Sequence, residues 1–139
     1  MTWRWIPVLL VLGLALGCGD YRLAPVSGRI TLNGEPLADA YVTFQPIGDK
    51  DHPNPGPGSV GKTDADGKYS LRTAGSQGNG AVIGKHRVTI RKGRPTKPGV
   101  NEDYTLYQET LPARYNSKTE LEFEVTGATD HADFDLTDP

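Results

Sequence analysis

The side chains that could do chemistry in this sequence are one cysteine, three histidines, a pair of aspartates and a group of tyrosines. Cys18 is the sole cysteine of the 139 residues, which rules out an internal disulfide and a cysteine-rich metal site. His52, His86 and His131 are scattered; there is no His-Glu-x-x-His and no two histidines stand at ligand spacing, so no metal site is predicted from them. Asp64 and Asp66, followed by Gly67, match part of a calcium loop, in which oxygen ligands crowd a hard cation. The third loop acid and the distal bidentate glutamate are not at the required positions. The same residues suit a tight turn, where Asp bonds its own backbone and Gly supplies a positive φ, and the turn is the favoured reading. Tyr104, Tyr107 and Tyr115 offer faces on which a sugar ring can stack, although such residues more often cover the open end of a sandwich. No Gly-x-Ser-x-Gly nucleophile elbow or phosphate-cradling loop occurs, so neither a catalytic residue nor a cofactor is predicted.

The elements that must position these residues are short strands. With 17 Gly and 11 Pro, the chain favours many brief elements joined by turns. Val26, Gly28, Ile30 and Leu32 alternate with Ser27, Arg29 and Thr31 and run into Asn33-Gly34, a strong hairpin signal. Pro36 places the return strand at an edge or a bulge. Ala40, Val42 and Phe44 form the next inward row, with Tyr41, Thr43 and Gln45 facing out. Residues 46–59 have almost nothing to bury and read as a surface loop. The stretch Thr63-Asp64-Ala65-Asp66-Gly67-Lys68-Tyr69-Ser70-Leu71 is the hinge, expected to join 60–63 and 69–73 as the arms of one hairpin with Tyr69 and Leu71 inward. Residues 75–80 read as a second polar loop. His86, Val88 and Ile90 then share one face, and Lys85, Arg87 and Arg91 the other. Residues 92–112 are expected as a long loop, and Leu121, Phe123 and Val125, then Ala132, Phe134 and Leu136, as the last inward rows. About seven short strands without an amphipathic helix predict an all-β, antiparallel, Greek-key-like sandwich over residues 26–139.

The formal charge of −2 gives no basic excess, so a nucleic-acid partner is discounted. Charge is nevertheless uneven: Lys85, Arg87, Arg91, Lys92, Arg94 and Lys97 form a block without an acid, and no Lys or Arg follows Thr119. The plain reading is pairing of basic and acidic outer rows on neighbouring strands, at roughly 0.2–1 kcal/mol per pair. The sharper reading is a basic patch for anionic lipid head groups.

The start of the chain carries one positive charge at Arg4 and an apolar run over 6–16, the length of a signal-peptide core, whereas a spanning helix wants about 20 residues. Gly17-Cys18-Gly19 directly after that run resembles a bacterial lipoprotein signal, in which the cysteine is lipidated and becomes the first residue after cleavage. The plainer alternatives are an ordinary cysteine in a retained anchor or a simple secretory signal. The lipoprotein reading divides the chain into a signal peptide at 1–17, a lipidated Cys18 with a tether to residue 25, and the domain. It implies export and a membrane partner, with the domain in the periplasm or at the cell surface.

The order Val26-Ser27-Gly28-Arg29-Ile30-Thr31-Leu32-Asn33-Gly34-Glu35-Pro36-Leu37, Ala40-Tyr41-Val42-Thr43-Phe44, the hinge, and Gly84-Lys85-His86-Arg87-Val88-Thr89-Ile90 resembles the carboxypeptidase regulatory-like domains, a transthyretin-like β-sandwich family related in fold to the B domains of bacterial surface adhesins. Leu111-Pro112-Ala113-Arg114-Tyr115-Asn116 resembles a segment of small bacterial lipoproteins built on that domain. The resemblance implies a non-catalytic module for structure or interaction, with an envelope protein as partner; the alternative is a carbohydrate-binding module with a glycan as partner. His86 departs from the aromatic common in that family and is expected as a partly buried packing residue. Adhesin B domains often carry a Lys to Asn crosslink; here the first strand has Arg29 and the last has Asp133 and Asp135 without Asn, so no such bond is expected.

Overall fold

A computed structural model of the chain describes residues 21–76, 78–95 and 107–138. The predicted signal segment, Cys18 and Tyr104 lie outside these residues. The first strands follow the alternation. β1 (Leu23–Ala24) leads into β2 (Val26–Leu32), where Val26 and Ile30 are buried and Arg29 is exposed. Asn33 (φ 53°) and Gly34 (φ 83°) both take the left-handed region, as a type I′ reversal requires, and β3 (Glu35–Pro36) returns along β2 with Pro36 opposite Thr31. β3 is an edge strand of two residues, a position that tolerates a residue without an N–H. β4 (Tyr41–Pro46) buries Val42, Phe44 and Pro46 and pairs with β5 (Ser59–Lys62) across the 47–58 loop. Beyond the hinge come β6 (Lys68–Ser70), β7 (Arg72–Thr73), β8 (Gly78–Asn79) and β9 (Ala81–Val82). The long β10 (Gly84–Arg91) is followed by β11 (Gly93–Pro95), β12 (Tyr107–Glu109), β13 (Glu122–Val125), β14 (Asp130–His131) and β15 (Phe134–Leu136).

These strands form an all-β sandwich. The larger sheet has the order β13-β10-β4-β5-β7-β8 and is antiparallel throughout. The smaller is built on β2, with β14 and β15 along one side and β6 and β3 along the other. β14 and β15 run parallel to β2, with Asp130 opposite Val26 and Leu136 opposite Leu32, which departs from the expectation of a wholly antiparallel fold. Alternation reports which side chains are buried; it carries no information on the direction of the neighbouring strand.

The hinge is a second difference. Its turn is as expected: Asp64 N donates to Lys68 O at 2.9 Å, Gly67 N donates to Asp64 O at 3.0 Å, and Gly67 has φ 75°. Its arms, however, do not pair. β5 lies between β4 and β7, whereas β6 pairs with β2, so the turn is a corner between the two sheets. Gly61 lets the arms cross at close range, since a Cβ there would lie 2.7 Å from Ser70 O. Gly67 O accepts from Ile30 N at 2.8 Å, which fastens the corner to β2. After Leu71, whose N donates to Val26 O at 2.9 Å, the chain returns to the large sheet with Arg72 opposite Val60.

Between the sheets lie Ile30, Tyr69, Leu71, Ala132 and Leu136 from one side and Val42, Phe44, Val88, Ile90 and Val125 from the other, all buried. Phe44 is the hub: its ring centroid is 5.6 Å from that of His86, 5.7 Å from Phe123 and 6.4 Å from Phe134. Burying such a ring stabilises the fold by about 1.5–3 kcal/mol. The stretch expected as a plain loop, 92–112, holds a two-stranded ribbon, with Gly93 opposite Glu109 and Pro95 opposite Tyr107. It is followed by a 3₁₀ turn at Ala113–Tyr115. Among the described residues no helix is long and apolar enough to cross a membrane.

Candidate functional site

Asp64 is occupied by its own turn. One carboxylate oxygen accepts from Asp66 N at 2.9 Å and from Lys68 N at 3.0 Å, the Asx bonding that such a corner favours. Asp66 is exposed, and its carbonyl accepts from Arg29 Nε at 3.1 Å. No group of three or more His, Cys, Asp or Glu suited to a metal ion occurs among the described residues.

Tyr115 is packed into the domain and is not an open stacking platform. It is buried at 8% exposure, Arg114 lies 4.8 Å from its ring centroid, and its hydroxyl donates to Thr137 O at 3.1 Å and accepts from Thr137 N at 2.9 Å. Arg114 also donates to Thr137 O and, at 3.1 Å, to Thr137 Oγ1. Next to it, buried Asn116 donates through Nδ2 to Pro112 O at 3.2 Å and Ile90 O at 3.4 Å. Thr119 Oγ1 donates to Val88 O at 2.6 Å. The segment from Leu111 to Asn116 therefore plugs one end of the sandwich and clamps the residue that follows β15. Tyr107 places its backbone in β12.

Several anchoring groups carried no mark in the sequence reading. Glu109 Oε1 accepts from three main-chain N–H groups, those of Lys92, Leu111 and Thr110, at 2.9, 3.0 and 3.1 Å, and so closes the base of the β11–β12 ribbon. Tyr69 donates its hydroxyl to Ala132 O at 2.6 Å, and burial, aided by the negative charge of Asp133, raises its pKa well above the ordinary range. Gly28 makes this approach feasible: a Cβ there would stand 1.9 Å from Ala132 O. An isolated glycine inside an alternating strand is the signal that could have found it. Arg29 of β2 and Asp133, between β14 and β15, do meet, as Arg29 N donates to Asp133 Oδ1 at 2.8 Å, and Thr31 Oγ1 donates to Asp135 Oδ1 of β15 at 2.8 Å.

His86 is fully buried, more deeply than the sequence suggested, because β4 and β13 flank β10 on both sides. Its Nε2 lies 2.6 Å from Val82 O, so that nitrogen carries the proton, and Nδ1 makes no hydrogen bond of good geometry. Burial holds the ring pKa below its usual value, against the opposing effect of the Val82 and Phe44 backbone groups.

The outer face of the large sheet gathers the charge runs. Lys85 stands opposite Glu124 and Arg87 opposite Glu122, so the basic and acidic rows seen in the sequence are cross-strand neighbours. On the other flank Arg91 faces Tyr41, and Tyr41 faces Lys62, whose ammonium is 5.3 Å from the tyrosine ring and 4.0 Å from Asp39. Arg72 continues the face opposite Val60. The result is a broad exposed surface of mixed charge rather than a patch of one sign.

No protein-family model and no curated protein matches the sequence. Among solved structures the chain is similar to a DUF3823 family protein from Parabacteroides merdae, at 17% identity and a TM-score of 0.42, over 85% of this chain and 46% of that one. The chain thus spans less than half of that protein's length.

Proposed function

We propose that this chain is an exported lipoprotein of the cell envelope whose β-sandwich is a non-catalytic module for structure or protein interaction, moored through an acylated Cys18. In this reading the sandwich is of the carboxypeptidase regulatory-like, transthyretin-like kind, on the strength of the order of its four motifs. The observation that supports it most is the use made of polar side chains. Asp64, Tyr69, Glu109, Tyr115, Asn116 and Asp133 each bond main-chain groups, so their chemistry holds loops and strand ends in place. That leaves the charged outer face of the large sheet as the contact surface. Two or more acyl chains on Cys18 would hold the module durably, at about 0.8 kcal/mol per buried CH₂.

Two measurements test the two halves. Intact mass of the membrane-extracted protein should show a chain that begins at Cys18 and carries fatty acyl groups; an unmodified cysteine or a retained leader defeats the mooring. Crosslinking in whole envelopes should capture one reproducible protein partner through the outer face, and Arg72→Glu with Arg91→Glu should abolish that capture. Capture unchanged by the double substitution would remove the outer face from the reading, and binding on a glycan array abolished by Tyr104→Ala and Tyr107→Ala would replace the partner with a sugar.

A further inference from the structure

The point at which the chain enters the domain is fixed. Leu23 and Ala24 of β1 pair with Val82 and Ala81 of β9, and Ile83 N donates to Arg22 O at 3.0 Å. Gly80, at φ 99°, makes room for this strap, as a Cβ there would lie 2.0 Å from Ala24 O. The tether expected over 18–25 is therefore largely part of the fold. Only Gly19, Asp20 and Tyr21 separate Cys18 from Arg22, a span that reaches at most about 14 Å when fully extended.

The same end of the sandwich carries exposed apolar side chains. Tyr21 is 40% exposed, and its ring lies so close to Gly56 that a Cβ there would be 2.8 Å away, and 3.1 Å from Val82 Cγ2. Ile47 is 37% exposed, and its N donates to Lys85 O at 2.9 Å beside the start of β10. The two residues border the 48–58 loop, Ile47 at its beginning and Tyr21 against Gly56 near its close. The remaining large exposed hydrophobic among the described residues, Val60 at 43%, stands instead on the outer face of the large sheet. Charge at the entry end is balanced: Arg22, Lys50 and Lys85 are set against Asp49, Asp51 and Glu124, the last opposite Lys85.

We propose that Tyr21 and Ile47 form a bilayer-contact patch that seats this end of the sandwich in the head-group layer of the membrane holding Cys18. The inference rests on the lipid mooring proposed above. A tether of at most about 14 Å keeps the entry end, and Tyr21 first of all, close to the membrane surface. A tyrosine suits that layer because its ring is apolar while its hydroxyl stays wet. The balanced charge makes the contact one of apolar insertion, insensitive to salt, whereas a basic patch would be screened.

The experiment places benzoylphenylalanine at Tyr21, Ile47 or Val60 of the full chain and irradiates isolated membranes. Lipid adducts are then read by intact mass, with and without salt at about 1 M, where the screening length is about 3 Å. Adducts at positions 21 and 47, several-fold above position 60 and unchanged by salt, are the expected result. A chain that sediments with membranes yet gives adducts at neither 21 nor 47, or equally at 60, overturns the patch and leaves the mooring standing. Adducts that vanish in salt overturn the apolar mode of contact. A chain that does not sediment with membranes defeats the mooring and the patch together.

Discussion

His86 is a base that the fold keeps neutral, and this has a defined pH consequence. The unfolded chain takes up a proton near the ordinary value of 6.5, while burial holds the folded value lower. The stabilisation tied to the neutral ring is thus complete above 6.5 and is lost as pH falls toward the folded value. Urea unfolding midpoints should drop as pH falls below about 6.5, and His86→Phe should flatten that drop. Parallel pH curves for the two proteins would show that His86 is not its source. Glycines make the second residue-level case. Gly28→Ala would force a methyl into Ala132 O and should cost about 2–3 kcal/mol. Gly34→Ala meets nothing within 4 Å and carries only the strain of φ 83°, about 1 kcal/mol, so the denaturation midpoints should rank in that order. Gly28, counted from the sequence in the inward row, carried a signal all the same, as an isolated glycine inside an alternating run. Glu109 was not, since a carboxylate that binds three N–H groups across a loop leaves no local pattern.

The inward rows of single strands could be read directly: Val42 and Phe44, Tyr69 and Leu71, His86, Val88 and Ile90 all point where their period-2 spacing places them. What spacing could not reveal was the choice of partner. The hinge joins β5 to β6 with a turn that reads as a hairpin, yet Gly61 and Gly67 allow the arms to cross into different sheets. The β11–β12 ribbon was hidden for the opposite reason, because Pro95 and Gly93 suggest a loop while the Glu109 carboxylate closes it from a distance. The clamp on β15 yields a test at this scale. Tyr115→Phe removes the partner of Thr137 N and should cost about 1–2 kcal/mol, with amide exchange at Thr137 quickened more than at Val88. Equal quickening at both would mean a global loss with no clamp. The paired rows yield another: a double-mutant cycle on Arg87 and Glu122 should return roughly 0.2–1 kcal/mol that fades in salt.

At the scale of the whole molecule, the fold class followed from composition and alternation, since many turn residues and several half-buried strands leave little besides a sandwich. The parallel seating of β14 and β15 along β2 and the strap formed by β1 did not follow. Both depend on contacts between distant parts of the chain, Asp130 with Val26 and Leu23 with Val82. The strap matters most for the proposed role, because it leaves so short a link between Cys18 and a folded body. The measurement that bears most directly on that role is fractionation of the full chain and of Cys18→Ala by sedimentation of membranes. The unaltered protein should pellet with membranes, and the Cys18→Ala protein, folded as before, should remain in the supernatant. Continued pelleting of a folded Cys18→Ala protein would contradict the lipid mooring.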